Sequence, residues 1–166
     1  MSAQSESRRL WRAALIVVGV GAVVLVALAW LAVRMYDDSI QRRIISADEA
    51  SALATLENLQ AQEQSFLETE GRYATFRQFA EAGVIQVPLN DDALVSDGYR
   101  FTLRVTPKTD TGGPAYAVNA DPVRAGGRDA TGRRHFFISS EVTGVRYNEE
   151  RPATAADKPR QTGTEY

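Results

Sequence analysis

The sequence contains no cysteine and only one histidine among its 166 residues. Without thiols the chain forms no disulfide and offers no thiolate as a nucleophile or metal ligand. The single imidazole, His135, cannot build a zinc site of the usual kind. It stands at the start of a predicted strand, where we expect edge packing or a surface position and not a catalytic base. The chain also lacks a G-x-S-x-G nucleophile motif, a P-loop and a G-x-G-x-x-G motif. These absences predict a protein that is not an enzyme and needs no cofactor or metal.

Charge is absent from one run of about 21 residues, Ala13–Val33, which is built from Ala, Val, Leu, Ile and Trp with Gly19 and Gly21. A helix of that length measures roughly 31 Å, which matches the hydrocarbon core of a bilayer. Trp11 and Trp30 lie near its two ends, where indole rings favour the membrane interface. The run therefore predicts one transmembrane helix, with the lipid bilayer as a partner.

Arginines flank this run on both sides, so their number alone does not orient it. Those before the run are tightly grouped, whereas Arg34 after it is followed by two aspartates. We therefore expect residues 1–12 to form a cytoplasmic tail and the rest of the chain to lie outside the cytoplasm. The alternative is a signal peptide cleaved after Ala29, although the run is longer than a usual h-region.

Residues 34–71 are typical of an amphipathic stalk helix. No Pro or Gly occurs until Gly71, which stands where a glycine often follows a helix end. A new helix start at Asp37–Ser39 or Ser46–Glu49 and a helix continuous with the apolar run are both compatible with the sequence. Apolar residues recur at near-helical spacing along this segment; they are Ile45, Ala52, Leu53, Leu56, Leu59, Phe66 and Leu67.

Acidic residues without any basic partner fill the same helix between Ile44 and Gly71. Glu57, Glu63 and Glu68 fall largely off the apolar stripe, so we interpret them as a solvated face. The alternative is a docking surface for a basic partner, and self-association through this stalk helix is also open. The acidic residues are Asp48, Glu49, Glu57, Glu63, Glu68 and Glu70.

Residues 72–148 are expected to form a small globular domain. A short helix is predicted at Thr75–Ala82, followed by a loop at Asn90–Gly98 whose aspartates form turns rather than a calcium site. Period-two alternation then predicts strands, and residues 149–166 are polar and proline-containing, which predicts a disordered tail. Helices followed by strands indicate an α+β fold with a small antiparallel β-meander; the strands are expected at Tyr99–Thr106, Tyr116–Asp121, His135–Ile138 and Val145–Tyr147.

The glycine-rich connection Val123–Arg134 supplies the candidate anion- or partner-binding residues. Clustered guanidinium groups on such a loop suit phosphate or lipid headgroups, although a solvated connection is the simpler interpretation. Nucleic acid is not an expected partner, because no aromatic residue adjoins the loop to stack on bases unless Phe136 or Phe137 faces outward. The candidate residues are Arg124, Arg128, Arg133 and Arg134.

Several short motifs follow one another along residues 45–148. Ala52-Leu53-x-x-Leu56 leads into Gly71-Arg72-Tyr73, then into Phe76-x-x-Phe79, and finally into the strand beginning Gly98-Tyr99-x-Phe101. This succession resembles the type IV pilins and the pseudopilins of type II secretion. The resemblance implies a pilin-like domain on a bacterial inner-membrane anchor. It also implies a structural or accessory role in an envelope, secretion or pilus-type assembly, with other envelope proteins as partners.

The N-terminus departs from the prepilin pattern. The segment Arg8–Arg12 contains no Gly before the apolar run, and no Glu lies between Ala13 and Val33. In prepilins the chain is cut between that Gly and the aromatic or Met residue that follows it. A Glu within the apolar helix then pairs with a neighbouring subunit during assembly. We therefore expect a permanent anchor instead of a processed subunit. The alternative function is an extracytoplasmic ligand-binding or sensing module whose candidate surface is Val123–Arg134.

Overall fold

The computed structural model describes residues 3–86, 89–127 and 129–160, and within the first helix it describes side chains from Leu25 onward, Asp38 excepted. The fold is α+β, as predicted, with a long helix α1 (Ala3–Glu70), a short helix α2 (Phe76–Glu81) and an antiparallel sheet. The sheet has six strands in chain order; they are β1 (Leu94–Ser96), β2 (Tyr99–Thr106), β3 (Ala115–Pro122), β4 (His135–Ser139), β5 (Val142–Asn148) and β6 (Lys158–Pro159).

Helix α1 keeps a helical backbone through both candidate capping segments, Asp37–Ser39 and Ser46–Glu49, so no new helix begins at either. The chain divides into two compact units, the first ending at Arg42 and the second beginning at Arg43. In the described residues, the first unit consists of helix alone. The second contains the rest of α1, helix α2 and the sheet.

The predicted transmembrane helix, Ala13–Val33, lies in the first unit. Its residues 13–24 fall outside the described side chains, as does the predicted cytoplasmic tail, residues 1–12. Within the described part of the chain, no helix combines the length and the apolar character needed to cross a membrane. The described end of the run, from Leu25 to Val33, is exposed throughout.

The apolar stripe of α1, which the helical spacing predicted, packs against one face of the sheet. Leu56 is completely buried, and Leu53 and Leu59 are nearly so. Alternation along the strands supplies the opposite side of the core, while Phe66, Leu67 and Leu103 pack at its margin. The sheet residues facing the helix include Tyr99, Phe101, Val118, Phe136 and Ile138.

Glu63 departs from the prediction of a solvated acidic face. Its side chain is 0% exposed and belongs to the interior of the second unit. The reason lies in the spacing, because Glu63 follows Leu56 by two helical turns and therefore shares its face. The prediction was wrong because it rested on the charge of Glu63 and not on its position along the helix.

The predicted loop Asn90–Gly98 contains two tight turns and the additional strand β1. Asp91 and Asp92 both have positive φ, 52° and 57°, in a turn closed by Asn90 and Ala93. Asp97 and Gly98 have φ of 46° and 74° between β1 and β2. Two consecutive positive φ values define the type I′ hairpin turn, which Asp-Gly favours. The aspartates here form turns, as expected.

Residues 149–160 are folded, although the sequence predicted a disordered tail from position 149. Asp157 accepts hydrogen bonds from Asn148 Nδ2, the backbone N–H of Thr154 and the Arg151 guanidinium, each at 2.8 Å. These bonds, led by that from Asn148, hold the pKa of Asp157 well below its usual range. Strand β6 then pairs with β5. The rest of the predicted tail, residues 161–166, lies outside the described residues.

Candidate functional site

The connection between β3 and β4, residues 123–134, is called the arginine loop below. Thr131 fixes it, because its backbone N–H donates to the Arg124 carbonyl at 3.0 Å and its hydroxyl accepts from the Arg124 N–H at 3.2 Å. The same hydroxyl donates to the Gly98 carbonyl at 2.6 Å. The loop is therefore fastened to the β1–β2 turn in addition to its two strands.

Glu49 of α1 binds the C-terminal end of the arginine loop. Its Oε1 accepts the backbone N–H of Arg133 at 2.9 Å and that of Arg134 at 3.3 Å. The Arg134 guanidinium lies 4.0 Å from Oε2, and the Glu49 side chain is only 14% exposed. Hydrogen bonds to a charged acceptor are stronger than neutral ones. Glu49 therefore joins the helix to the loop, which differs from its predicted place on a solvated face.

The candidate arginines have different environments. Arg134 has its Nε 3.7 Å from Glu149 and its guanidinium carbon 5.5 Å from the centre of the Tyr147 ring. Arg124 and Arg133 are exposed. Arg128 lies outside the described residues. The described residues therefore include one arginine held by two carboxylates and an aromatic ring, and two presented to solvent.

Tyr99 supports the arginine loop from the core side. Its side chain is fully buried, and its hydroxyl donates to the Arg134 carbonyl at 2.8 Å. Burial, followed by the charge of Glu49, raises the pKa of Tyr99 above its usual range. A Cβ added to Gly132 would lie 2.0 Å from the Tyr99 oxygen. Glycine at 132 therefore allows the loop to close over the tyrosine.

Two aspartates, one within α1 and one in the β1–β2 turn, lie beside the arginine loop. Ser51 and Ser96 donate to Asp97 Oδ2 at 2.6 and 3.0 Å, and these bonds lower the pKa of Asp97. Burial and the charge of Asp97 raise the pKa of Asp48. Among the described residues, no group of three or more His, Asp or Glu side chains is placed to hold a metal ion.

His135 starts β4 as predicted, and its Nδ1 lies 2.6 Å from Asp121 Oδ1 on β3. The imidazole is nearly buried, and this pair joins the two strands at the point where the arginine loop returns to the sheet. The sequence indicated edge packing or a surface position for the histidine and did not identify its partner. His135 and Asp121 lie opposite each other on neighbouring strands, and pairing of the two strands in this register would have predicted their contact.

A separate cleft of about 450 Å³ opens between the α1–α2 connection and the β2–β3 hairpin. Arg72, Arg77, Tyr73, Val105 and Pro107 are among its lining residues. Arg77 also pairs with Asp92 at 3.1 Å, but both side chains are mostly exposed, so this pair contributes little. No motif in the sequence indicated this cleft.

The described polar groups around the arginine loop form hydrogen bonds with other groups of the same chain. Glu49 accepts hydrogen bonds from two consecutive amides of the loop. The Thr131 hydroxyl donates to a carbonyl of the β1–β2 turn, and the Tyr99 hydroxyl donates to the Arg134 carbonyl of the loop. This chemistry fastens a loop to a helix and a sheet. A comparison of the chain with protein-family models, curated proteins and solved structures found no match.

Proposed function

We propose that the chain is a single-pass membrane protein of the bacterial envelope whose residues 43–160 form a pilin-like domain. Its role is structural or accessory, within an envelope, secretion or pilus-type assembly, and it is not enzymatic. In this proposal Ala13–Val33 is a retained anchor in the inner membrane, residues 1–12 are cytoplasmic, and the domain is extracytoplasmic. The partners are the lipid bilayer and other envelope proteins.

The observation that carries this proposal is the exposure of large apolar side chains on α1 between Leu25 and Ile44. Leu25 is 69% exposed, and Met35 and Tyr36 are exposed to a similar degree. Apolar surface left in water costs about 25 cal/mol per Å², and contiguous exposed apolar patches mark membrane or protein interaction sites. A lipid or protein environment for this stretch removes that cost.

The residues around Trp30 fit a membrane interface. Arg34 lies with its guanidinium carbon 5.3 Å from the centre of the Trp30 ring. Tryptophan and arginine at the end of an apolar run are typical of the boundary between hydrocarbon and water. This arrangement supports an interface near the end of the proposed anchor.

The order of elements in the domain supports the proposed pilin-like domain. Helix α1 ends at Glu70, Gly71 follows with a φ of 69°, and Tyr73 enters the core directly afterwards. Phe76 and Phe79 of α2 are buried beside it, and the antiparallel meander covers the helix stripe. A stalk helix under a meander of this kind supports a pilin-like domain.

The first test fractionates bacteria that express the full chain and measures the intact mass and N-terminus of the protein extracted from membranes. We expect the protein to resist an alkaline carbonate wash and to keep the full mass of 18.2 kDa. Crosslinking in intact cells is expected to recover other envelope proteins. A mass that corresponds to cleavage after Ala29 contradicts the retained anchor.

A paired variant sharpens the membrane part of this test. Leu25→Arg with Leu28→Arg places two charges in the exposed apolar stretch, where each costs about 2.5–3.5 kcal/mol at the centre of a transmembrane helix and less near its end. We expect weaker membrane retention. The control, Asn58→Arg with Gln60→Arg, changes exposed positions on the same helix. Equal retention of both variants, or a soluble wild-type chain, contradicts the proposal.

A further inference from the structure

Glu63 holds a position that its predicted role on a solvated face does not explain. Its carboxyl group is fully buried on α1, and Oε2 accepts the backbone N–H of Ala74 at 2.9 Å. Its other oxygen, Oε1, is buried and has no hydrogen-bond partner among the described residues. A buried carboxylate with an unpaired oxygen is costly, whereas the protonated form loses much less on burial.

The contact joins helix α1 to the connection that leads into α2. Helix α1 ends at Glu70, and the connection to α2 begins at Gly71, which has a φ of 69°. Ala74 lies within that connection and immediately precedes Thr75, the N-cap of α2. The hydrogen bond from Ala74 to Glu63 is therefore a tie between the end of α1 and the start of α2.

The groups that face Glu63 do not compensate a negative charge. Tyr73 from the connection and Tyr116 from β3 pack edge to face, with ring centres 4.7 Å apart. Burial and then the charge of Glu63 raise the pKa of Tyr116 to about 12, so both Glu63 and this phenol favour their neutral forms. On α2, Arg77 and Glu81 are exposed, and Arg77 pairs with Asp92.

We propose that Glu63 is a pH-sensitive switch, which holds the α1–α2 connection against α1 when it is protonated and weakens that contact when it ionises. Ionisation places a charge among apolar and phenolic groups with one amide as its only described hydrogen-bond donor. Separation of the connection from α1 at Ala74 admits water to the carboxylate and relieves this cost. The switch acts within residues 43–160 and does not depend on the proposed membrane role.

The direction of the pH dependence follows from burial. Burial raises the pKa of Glu63 from 4.5 to about 7, and the hydrogen bond from Ala74 offsets part of that effect. A carboxyl whose pKa is higher in the folded state than in the unfolded chain contributes stability that is fully present below pH 4.5. That contribution is lost as the pH rises through about 7. The contact is therefore closed in mild acid and loosened above neutrality.

The test follows the Ala74 amide resonance of the full chain in mild detergent by NMR from pH 4 to pH 8.5, so that it does not require insertion into a bilayer. We expect one transition with a midpoint near pH 7. We also expect the hydrogen-exchange protection of the Ala74 amide, corrected for its intrinsic rate, to fall by tenfold or more across that transition. A midpoint near pH 4.5, or protection that does not change with pH, overturns the proposal.

Two variants separate the switch from general effects of pH. Glu63→Gln keeps the shape of the side chain without its ionisation, and we expect it to remove the transition and keep the connection closed at pH 8.5. The matched control is Glu57→Gln, which lies on the exposed side of the same helix and should keep the wild-type transition. Persistence of the transition in Glu63→Gln contradicts the switch. If that variant does not fold, the carboxyl carbon resonance of Glu63 in the wild-type chain decides the question through its own midpoint.

Discussion

Two stretches of helix α1 differ in whether their apolar side chains are exposed or buried. Between residues 25 and 44 these side chains are exposed, as at Leu25, whereas between 45 and 67 they form the core, as at Leu56. In the second stretch the sheet of the same chain covers the apolar face. In the first, the cover must come from lipid or another molecule if it is to be removed from water. A single helix thus carries one apolar stretch that the domain covers and one that stays exposed among the described residues.

The carboxylates of the second stretch sharpen this contrast. Glu49 and Glu63 both accept hydrogen bonds from backbone N–H groups of segments that follow the helix in sequence. The second stretch therefore contacts the domain through polar bonds as well as through its apolar stripe. Substitutions in the two stretches should separate their roles.

The largest expected effect comes from Leu56→Ala. Leu56 is completely buried at the centre of the helix–sheet contact. Removal of such a side chain costs about 2–5 kcal/mol, through lost burial and the cavity left behind. Denaturant unfolding of the full chain in mild detergent, monitored by far-UV circular dichroism, measures this loss in free energy of unfolding. A change below about 1 kcal/mol would show that the stripe does not support the domain.

A smaller effect is expected from Glu49→Ala. The change removes the acceptor for the Arg133 and Arg134 amides and leaves them without this partner. Hydrogen bonds to a charged group contribute about 1.5–3 kcal/mol, so we expect a loss in the lower part of that range. Unfolding under the same conditions measures it, with Glu57→Ala as a control that should stay within about 0.5 kcal/mol. Equal losses in both variants would remove the special role of Glu49.

The smallest effect on the domain is expected from Leu28→Ala, because Leu28 is exposed in the first stretch. The free energy of unfolding of residues 43–160 should change by less than about 0.5 kcal/mol. Partition of the chain into vesicles should weaken by about 1–2 kcal/mol, since a smaller side chain transfers less apolar surface into lipid. A domain destabilised as strongly as in Leu56→Ala would abolish the distinction between the two stretches.

The elements that follow local periodicity were predictable from the sequence. The helix stripe containing Leu53 and Leu56, and the strands containing Phe101 and Val118, follow the spacings of a helix and of a half-buried strand. The pilin resemblance, the anchor and the role in an assembly remain predictions, because they concern partners or segments outside the described contacts.

The polar contacts were not predictable in the same way. The amide bound by Glu49 belongs to a residue 84 positions later in the chain, and no local pattern encodes such a pairing. Asp157 gathers its donors from a turn in a proline-containing segment whose composition indicates disorder. Charged side chains are usually solvated, so a sequence interpretation assigns Glu63 to the surface unless its helical register is given more weight than its charge.

The chain order of the sheet has a consequence for synthesis. Each strand pairs with the strand before it, so successive hairpins can close as the chain emerges. The helix stripe is made first, however, and its cover is incomplete until Ile138 of β4 has left the ribosome. During this interval two neighbouring apolar surfaces of one helix are uncovered together, and only one of them will be closed by the chain itself. The nascent protein therefore exposes its largest apolar helix surface before the domain exists.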